Sequence, residues 1–332
     1  MLRFIFIIIS LIVFSACHHD GQKDDFSAYK EVKVFRYDRL QYEATALNSV
    51  LALQKMSTEC PRATKLLIED VLGIGSVSEP NIYEELCAYY TDSILLRIME
   101  DAEKKFKDIT PIEKSLTEGF LKLKEEIPSV VIPRIYAQFS ALNQSVVVGD
   151  SLLGFSLDKY MGADYPVYKR YYYEYQCRSM TPERIVPDCF TFYLLSQYPF
   201  LWEEGHRTLF DVIMYRGKIA WATEYILGKN ASGNESLGYT KEEIDWCKKH
   251  EKKLWKWMID QQQLDSTDPM LIRAYTHPDP RIQLKGEKIP SLVGVWLGMQ
   301  LIDKYMNNHK EATLKDLLER TDFHELLEEI DG

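Results

Sequence analysis

Residues 129–157 read SVVIPRIYAQFSALNQSVVVGDSLLGFSL, and this stretch decides the fold class. Val130, Val131 and Ile132 form one apolar, β-branched run, Ile135, Ala137 and Phe139 recur at every second position, and Val146, Val147 and Val148 form another run. Branched residues and strict alternation suit a pleated surface with a buried face. Gly149-Asp150 fits a tight turn, which returns the chain into Leu153, Phe155 and Leu157. The stretch predicts a small antiparallel sheet.

Outward from it the pattern is helical. Thr110-Pro111-Ile112-Glu113 carries a capping residue, Pro at the first helical position and Glu three residues after the cap, the signature of a helix start. Ile112, Leu116, Phe120, Leu123 and Ile127 then share one helical face, and Pro128 follows the end. Thr240-Lys241-Glu242-Glu243 is a second capping box, before Ile244, Cys247, Leu254, Trp255, Met258 and Ile259, and a third helix starts at Thr313-Leu314-Lys315-Asp316. Residues 31–36 alternate again, with Val32, Val34 and Arg36 on one face and Lys33 and Phe35 on the other. A small sheet with helices before and after it predicts an α+β, mainly helical fold. No internal repeat or low-complexity stretch interrupts it.

The chain begins with Arg3 and an apolar stretch from Phe4 to Phe14, then Ser15-Ala16-Cys17. The stretch is shorter than the roughly 20 apolar residues of a membrane-spanning helix and has the form of a removed secretory signal, residues 1–16. Small residues directly before Cys17 resemble the lipobox of bacterial lipoproteins, in which the cysteine becomes the acylated first residue. Several acyl chains anchor durably where one does not. Cleavage near Ala16 in an ordinary secreted protein is the alternative. Residues 17–25 are polar and read as a tether. Lys23-Asp24-Asp25 is either a surface-export signal or a solvated linker, and His18-His19 read as exposed tether residues.

Residues 26–332 suffice for one large domain or two small ones. With 40 Lys and Arg against 50 Asp and Glu, the formal charge is −10 and no basic block occurs. This speaks against nucleic acid as a partner, since such binding rests on clustered cations. Beyond Cys17 the cysteines are Cys60, Cys87, Cys177, Cys189 and Cys247. Five is an odd number, so they are expected to be mostly free and buried, with Cys177–Cys189 the first choice for a bridge.

Motifs for catalysis or cofactors are missing from the sequence. It has no H-E-x-x-H, no G-x-S-x-G, no phosphate loop and no dinucleotide fingerprint. His324-Glu325-Leu326-Leu327-Glu328 lacks the second histidine, and Glu203-Glu204-Gly205-His206 has the wrong spacing for a helical zinc pair. No cofactor and no metal are therefore expected. Tyr168, Tyr171, Tyr172, Tyr173 and Tyr175 form a dense aromatic run. It reads either as a platform for a glycan or partner protein, with Tyr171, Tyr172 and Tyr173 at its centre, or as packing, since tyrosine suits half-wet surfaces. Asp158, leaving the sheet ahead of Gly162, lines a cleft or belongs to an ordinary turn.

From about Phe26 onward the chain resembles the GldB family of gliding-motility-associated lipoproteins of the Bacteroidetes. The resemblance rests on ordered blocks: residues 34–38 (VFRYD), 133–136 (PRIY), 152–162 (LLGFSLDKYMG), 214–218 (MYRGK), 238–240 (GYT) with Trp246 and Trp255, and 290–302 (PSLVGVWLGMQLI) with Tyr305-Met306. It implies an envelope lipoprotein, anchored through Cys17 to the outer membrane on either face, with another envelope component as partner and no catalytic residues to carry over. The layout is also similar to a predicted zinc-peptidase group. There, residues 190–196 occupy the histidine-helix position and Arg216, beside Gly217, the third-ligand position. Neither supplies a metal ligand, and Arg216 would repel a divalent cation at close range. The resemblance thus implies a metal-free peptidase-like scaffold used for binding, with Arg216 a further surface candidate. A hydrolase acting on peptide or cell-wall material, with a site assembled from distant acids and tyrosines, is the enzymatic alternative.

Overall fold

A computed structural model describes residues 31–45, 49–200, 207–278, 283–284 and 287–331. The chain opens with strand β1 (Val34–Arg36) and helices α1 (Tyr37–Glu43), α2 (Ser49–Glu59) and α3 (Pro61–Lys65), which runs on as a π-helical segment, Leu66–Leu72. Helices α4 (Ile82–Tyr90), α5 (Ser93–Lys105) and α6 (Thr110–Glu126) lead to strands β2 (Arg134–Gln138), β3 (Val146–Gly149) and β4 (Leu152–Ser156). Two short helices, α7 (Tyr168–Tyr171) and α8 (Glu174–Cys177), precede α9 (Ile185–Gln197), α10 (Leu209–Ile226), α11 (Asn234–Leu237), α12 (Lys241–Asp260) and α13 (Pro269–Thr276). The two-residue strands β5 (Gln283–Leu284) and β6 (Glu287–Lys288) pair with each other, and α14 (Val293–Asn308), α15 (Leu314–Glu319) and α16 (Phe323–Asp331) follow.

The α+β, mainly helical expectation holds. The expected antiparallel sheet is corrected to a mixed one, in the order β1-β2-β4-β3. Only the β3–β4 hairpin is antiparallel, with Val146 opposite Phe155; β2 runs parallel to β4 and β1 parallel to β2. The hairpin folds back so that β4 enters between β2 and β3, which forces the parallel pair. Helices α1 to α6 supply the long crossover that a parallel β1–β2 pair needs. Residues 130–132 also depart from expectation, since they lie outside the ladder. Pro128 and Pro133 flank them, and proline has no N–H to donate to a sheet.

The expected capping box at Thr110 is likewise replaced. Asp108 accepts the N–H of Thr110 at 2.9 Å. Glu113 instead reaches across to accept the N–H of Val34 at 2.9 Å, while Thr117 Oγ1 accepts that of Val32 at 2.9 Å. The free edge of β1 is therefore satisfied by two side chains of α6. The box expected at Thr240 forms with Glu243, and the helix expected to start at Thr313 does so, with Thr313 and Asp316 forming a box of their own. On α12, Cys247, Leu254 and Met258 are buried, but Ile259 points to solvent.

Helix α10 is the axis of the C-terminal half and is buried almost all round. Its tightest neighbour is α14, where Gly217 faces Gly298 and the two backbones touch. Lys218 is buried in mid-helix and donates to the carbonyls of Leu318 and Arg320, both at 2.8 Å, closing the end of α15. Glu224, also buried, accepts the N–H groups of Glu235 and Ser236 at the start of α11.

Candidate binding site

The turn between β2 and β3 carries the most unusual backbone of the site. Ala141 (φ 53°) and Leu142 (φ 67°) are consecutive left-handed residues without being glycine. Each such residue costs roughly 1–3 kcal/mol unless its surroundings impose it. The surroundings here are side chains from the segment after β4. Fully buried Asp158 accepts the N–H of Ser140 at 3.0 Å and of Leu142 at 2.5 Å. The carbonyl of Leu142 accepts from Tyr172 Oη at 2.5 Å and from Lys159 Nζ at 3.2 Å, and that Nζ also donates to Tyr172 Oη at 2.8 Å. Both polar groups of Leu142 are thus held. Asn143 donates to the carbonyl of Val71 at 3.2 Å and ties the turn to the π-helical segment.

Burial sets the electrostatics. It raises the Asp158 carboxyl, opposed by the N–H groups of Leu142 and Ser140. It lowers the Lys159 amine, opposed by the Asp158 charge, and pushes the Tyr172 phenol up to about 12, so that phenol remains a donor at neutral pH.

A cavity of about 610 Å³ opens beside this turn. Its walls are Tyr89 of α4, Ile94 and Ile98 of α5, Leu142 of the turn, and Tyr171 and Tyr172 at the end of α7, with Asp92 at hand. Tyr171 is 53 % exposed. Asp92 is occupied as the cap of α5, accepting from Ile94 and Leu95. A mostly apolar recess with a few fixed polar groups is the usual form of a binding site.

The structure brings together Asp158, Tyr171 and Tyr172 and separates the other candidates from them. Helix α7 ends at Tyr171, the backbone turns extended at Tyr172 and Tyr173, and Tyr173 caps α8. Tyr173 then lies against Tyr175, rings 8° from parallel, in another groove. Tyr168 is fully buried, its hydroxyl donating to the Asp158 carbonyl at 2.6 Å. Arg216 sits half-buried on α10 with its charge disfavoured by burial, and at the α13 end burial lowers the His277 imidazole, with the Arg216 charge adding to the effect. Sequence reasoning missed Leu142 and Lys159. A left-handed leucine leaves no mark in a sequence, whereas a lysine next to a strand-leaving aspartate did give a signal.

In the peptidase-like layout, residues 190–196 lie within α9, where Phe190 and Leu194 fill the core and Thr191 bonds Thr223. Among the described residues, no group of three or more His, Cys, Asp or Glu side chains is placed to hold a metal ion. All five described cysteines are free thiols, so the expected Cys177–Cys189 bridge is not made; Cys177 ends α8 while Cys189 is packed into the buried face of α9. Cys17 with its signal and tether, and residues 203–206, lie outside the described residues. Among the described residues, no helix is long and apolar enough to cross a membrane.

Comparison with curated proteins and with solved structures finds no match. The family model described as gliding motility protein GldB matches residues 19–330, nearly the whole chain. The chain therefore belongs to the GldB family of gliding-motility-associated envelope lipoproteins.

Proposed function

We propose that this lipoprotein is anchored through Cys17 to the outer membrane and acts without catalysis, by holding a segment of another envelope protein in the recess between Leu142 and Tyr171–Tyr172. The observation that carries this reading is the imposed backbone at Ala141–Leu142 beside an exposed tyrosine. A turn held rigid by Asp158, Lys159 and Tyr172 loses little freedom on binding, and such pre-organisation is where affinity is gained. The apolar walls fit a branched or aromatic side chain of the partner. The scaffold reading agrees: the positions of a zinc-peptidase ligand set hold core apolar residues and Arg216.

The test is cross-linked capture from native envelopes with the full-length protein. The same partner is expected with wild type and Tyr173→Ala, and loss is expected with Tyr171→Ala and Leu142→Asp. Capture unchanged by both recess variants overturns the site. Metal content is read on the same preparation after incubation with zinc and washing. A value near one zinc per chain overturns the non-catalytic reading.

A further inference from the structure

A second recess, of about 680 Å³, lies between the α8 segment and the start of α12. Tyr173 and Tyr175 form one wall, their rings 5.7 Å apart and nearly parallel, and Tyr173 is 72 % exposed. Trp246 comes from the other wall, with His250 covering one side of its indole at 4.3 Å. Arg178 bridges the walls, donating in a two-pronged fork to Glu243 at 3.0 and 2.7 Å. Glu243 is itself fixed by the N–H of Thr240 at 3.0 Å, and Glu242 stands beside it.

The chemistry of this recess is specific. Aromatic rings left open to water offer flat apolar faces at little conformational cost. Of the charges that line it, Arg178 and Lys288 stand against Glu174, Glu242 and Glu243, and Arg178 is already paired with Glu243, so the recess is net acidic and disfavours an anion. What the fork offers is unused N–H donors and carboxylate oxygens side by side, held in place by their own pairing. A ligand that matches has flat C–H faces and adjacent hydroxyls that both give and accept. The volume falls in the range of small-ligand sites.

We propose that this recess binds a neutral oligosaccharide, with Tyr173, Tyr175 and Trp246 covering the pyranose faces and Arg178, Glu242 and Glu243 bonding the hydroxyls. This site is separate from the Leu142–Tyr171 recess and does not depend on the protein partner assigned to it.

The experiment uses the full-length protein in a detergent without a sugar headgroup. It is screened against a panel of neutral gluco-, galacto-, manno- and N-acetylhexosamine oligosaccharides, and hits are titrated by calorimetry. At least one member is expected to bind. Tyr173→Ala and Arg178→Lys are each expected to weaken it by about tenfold, and Tyr171→Ala is expected to leave it unchanged. Tyr173 is exposed, so its variant keeps the fold, and thermal midpoints check this. No binding at about 10 mM by any member overturns the proposal, as does binding insensitive to both variants. Capture of an envelope protein that is lost in Tyr173→Ala, with no sugar bound, also overturns it and assigns the recess to a protein.

Discussion

The Cα of Gly217 rests on the backbone of Gly298. A Cβ built at Gly217 would lie 2.7 Å from the Gly298 Cα and 2.5 Å from the Met299 nitrogen, and one at Gly298 would lie 2.8 Å from the Ile213 carbonyl carbon. In each case the obstacle is main chain, which cannot swing aside as a side chain would. Both residues belong to blocks that carried the family resemblance, and the contact gives their physical reason. Gly298→Ala is expected to force α10 and α14 apart and cost about 3 kcal/mol or more, at the upper end for overpacking. Urea unfolding measures it. Gly73, left-handed at φ 62° with nothing within 4 Å of its added Cβ, is the control: Gly73→Asn should shift the midpoint little.

Asp158 is expected to matter through the turn it holds. Asp158→Ala leaves the N–H groups of Ser140 and Leu142 buried without acceptors, at roughly 1–3 kcal/mol for each such group. Hydrogen exchange at the Leu142 amide should rise more than exchange in α14. Partner capture should fall with it, even where the variant remains folded.

Lys218 gives stability a dependence on pH. Burial lowers its amine from 10.5 to about 8. Below pH 8 the amine is charged in both states and the burial penalty is fully present. Between about 8 and 10.5 the folded protein has released the proton while the unfolded chain retains it, so stability rises with pH across that window. The full span is on the order of 3 kcal/mol. Lys218→Met should remove this rise, which urea midpoints on either side of the window will show.

The thiols make a direct check on the cysteines. Burial raises all five, Cys247 to about 12, so thiolate is scarce at neutral pH and disulfide reagents should react slowly with the folded protein. Cys87, the one only half-buried, should react first. After unfolding without reductant, all five described thiols should titrate. A Cys177–Cys189 bridge would leave three.

Local signals were legible and distant pairings were not. The hairpin about Gly149-Asp150, the box at Thr240 and the helix start at Thr313 depend on neighbours in sequence, and each forms as expected. The partner of β2 did not, because β4 can insert only after β3 has turned back. Glu113 was read as a cap for its own helix, yet the N–H of Val34, almost eighty residues away, claimed it. The tyrosine run is visible, but its division between two recesses hangs on two extended residues, Tyr172 and Tyr173. Lys218 gives no warning in the sequence: nothing near it in the chain foretells that a helix end brought from residues 318–320 receives its amine.

Strand β1 is the first described element, and it is gripped on both edges, by β2 through the ladder and by Glu113 of α6 at Val34, with Thr117 holding Val32 just ahead of it. A pull applied at Glu31 along the strand therefore loads these bonds side by side, in shear, and they must yield together. The same pull on a peeled hairpin would break them singly. A load applied at that end would therefore meet its first resistance at this three-residue strand, which holds as one unit before the rest of the fold is strained.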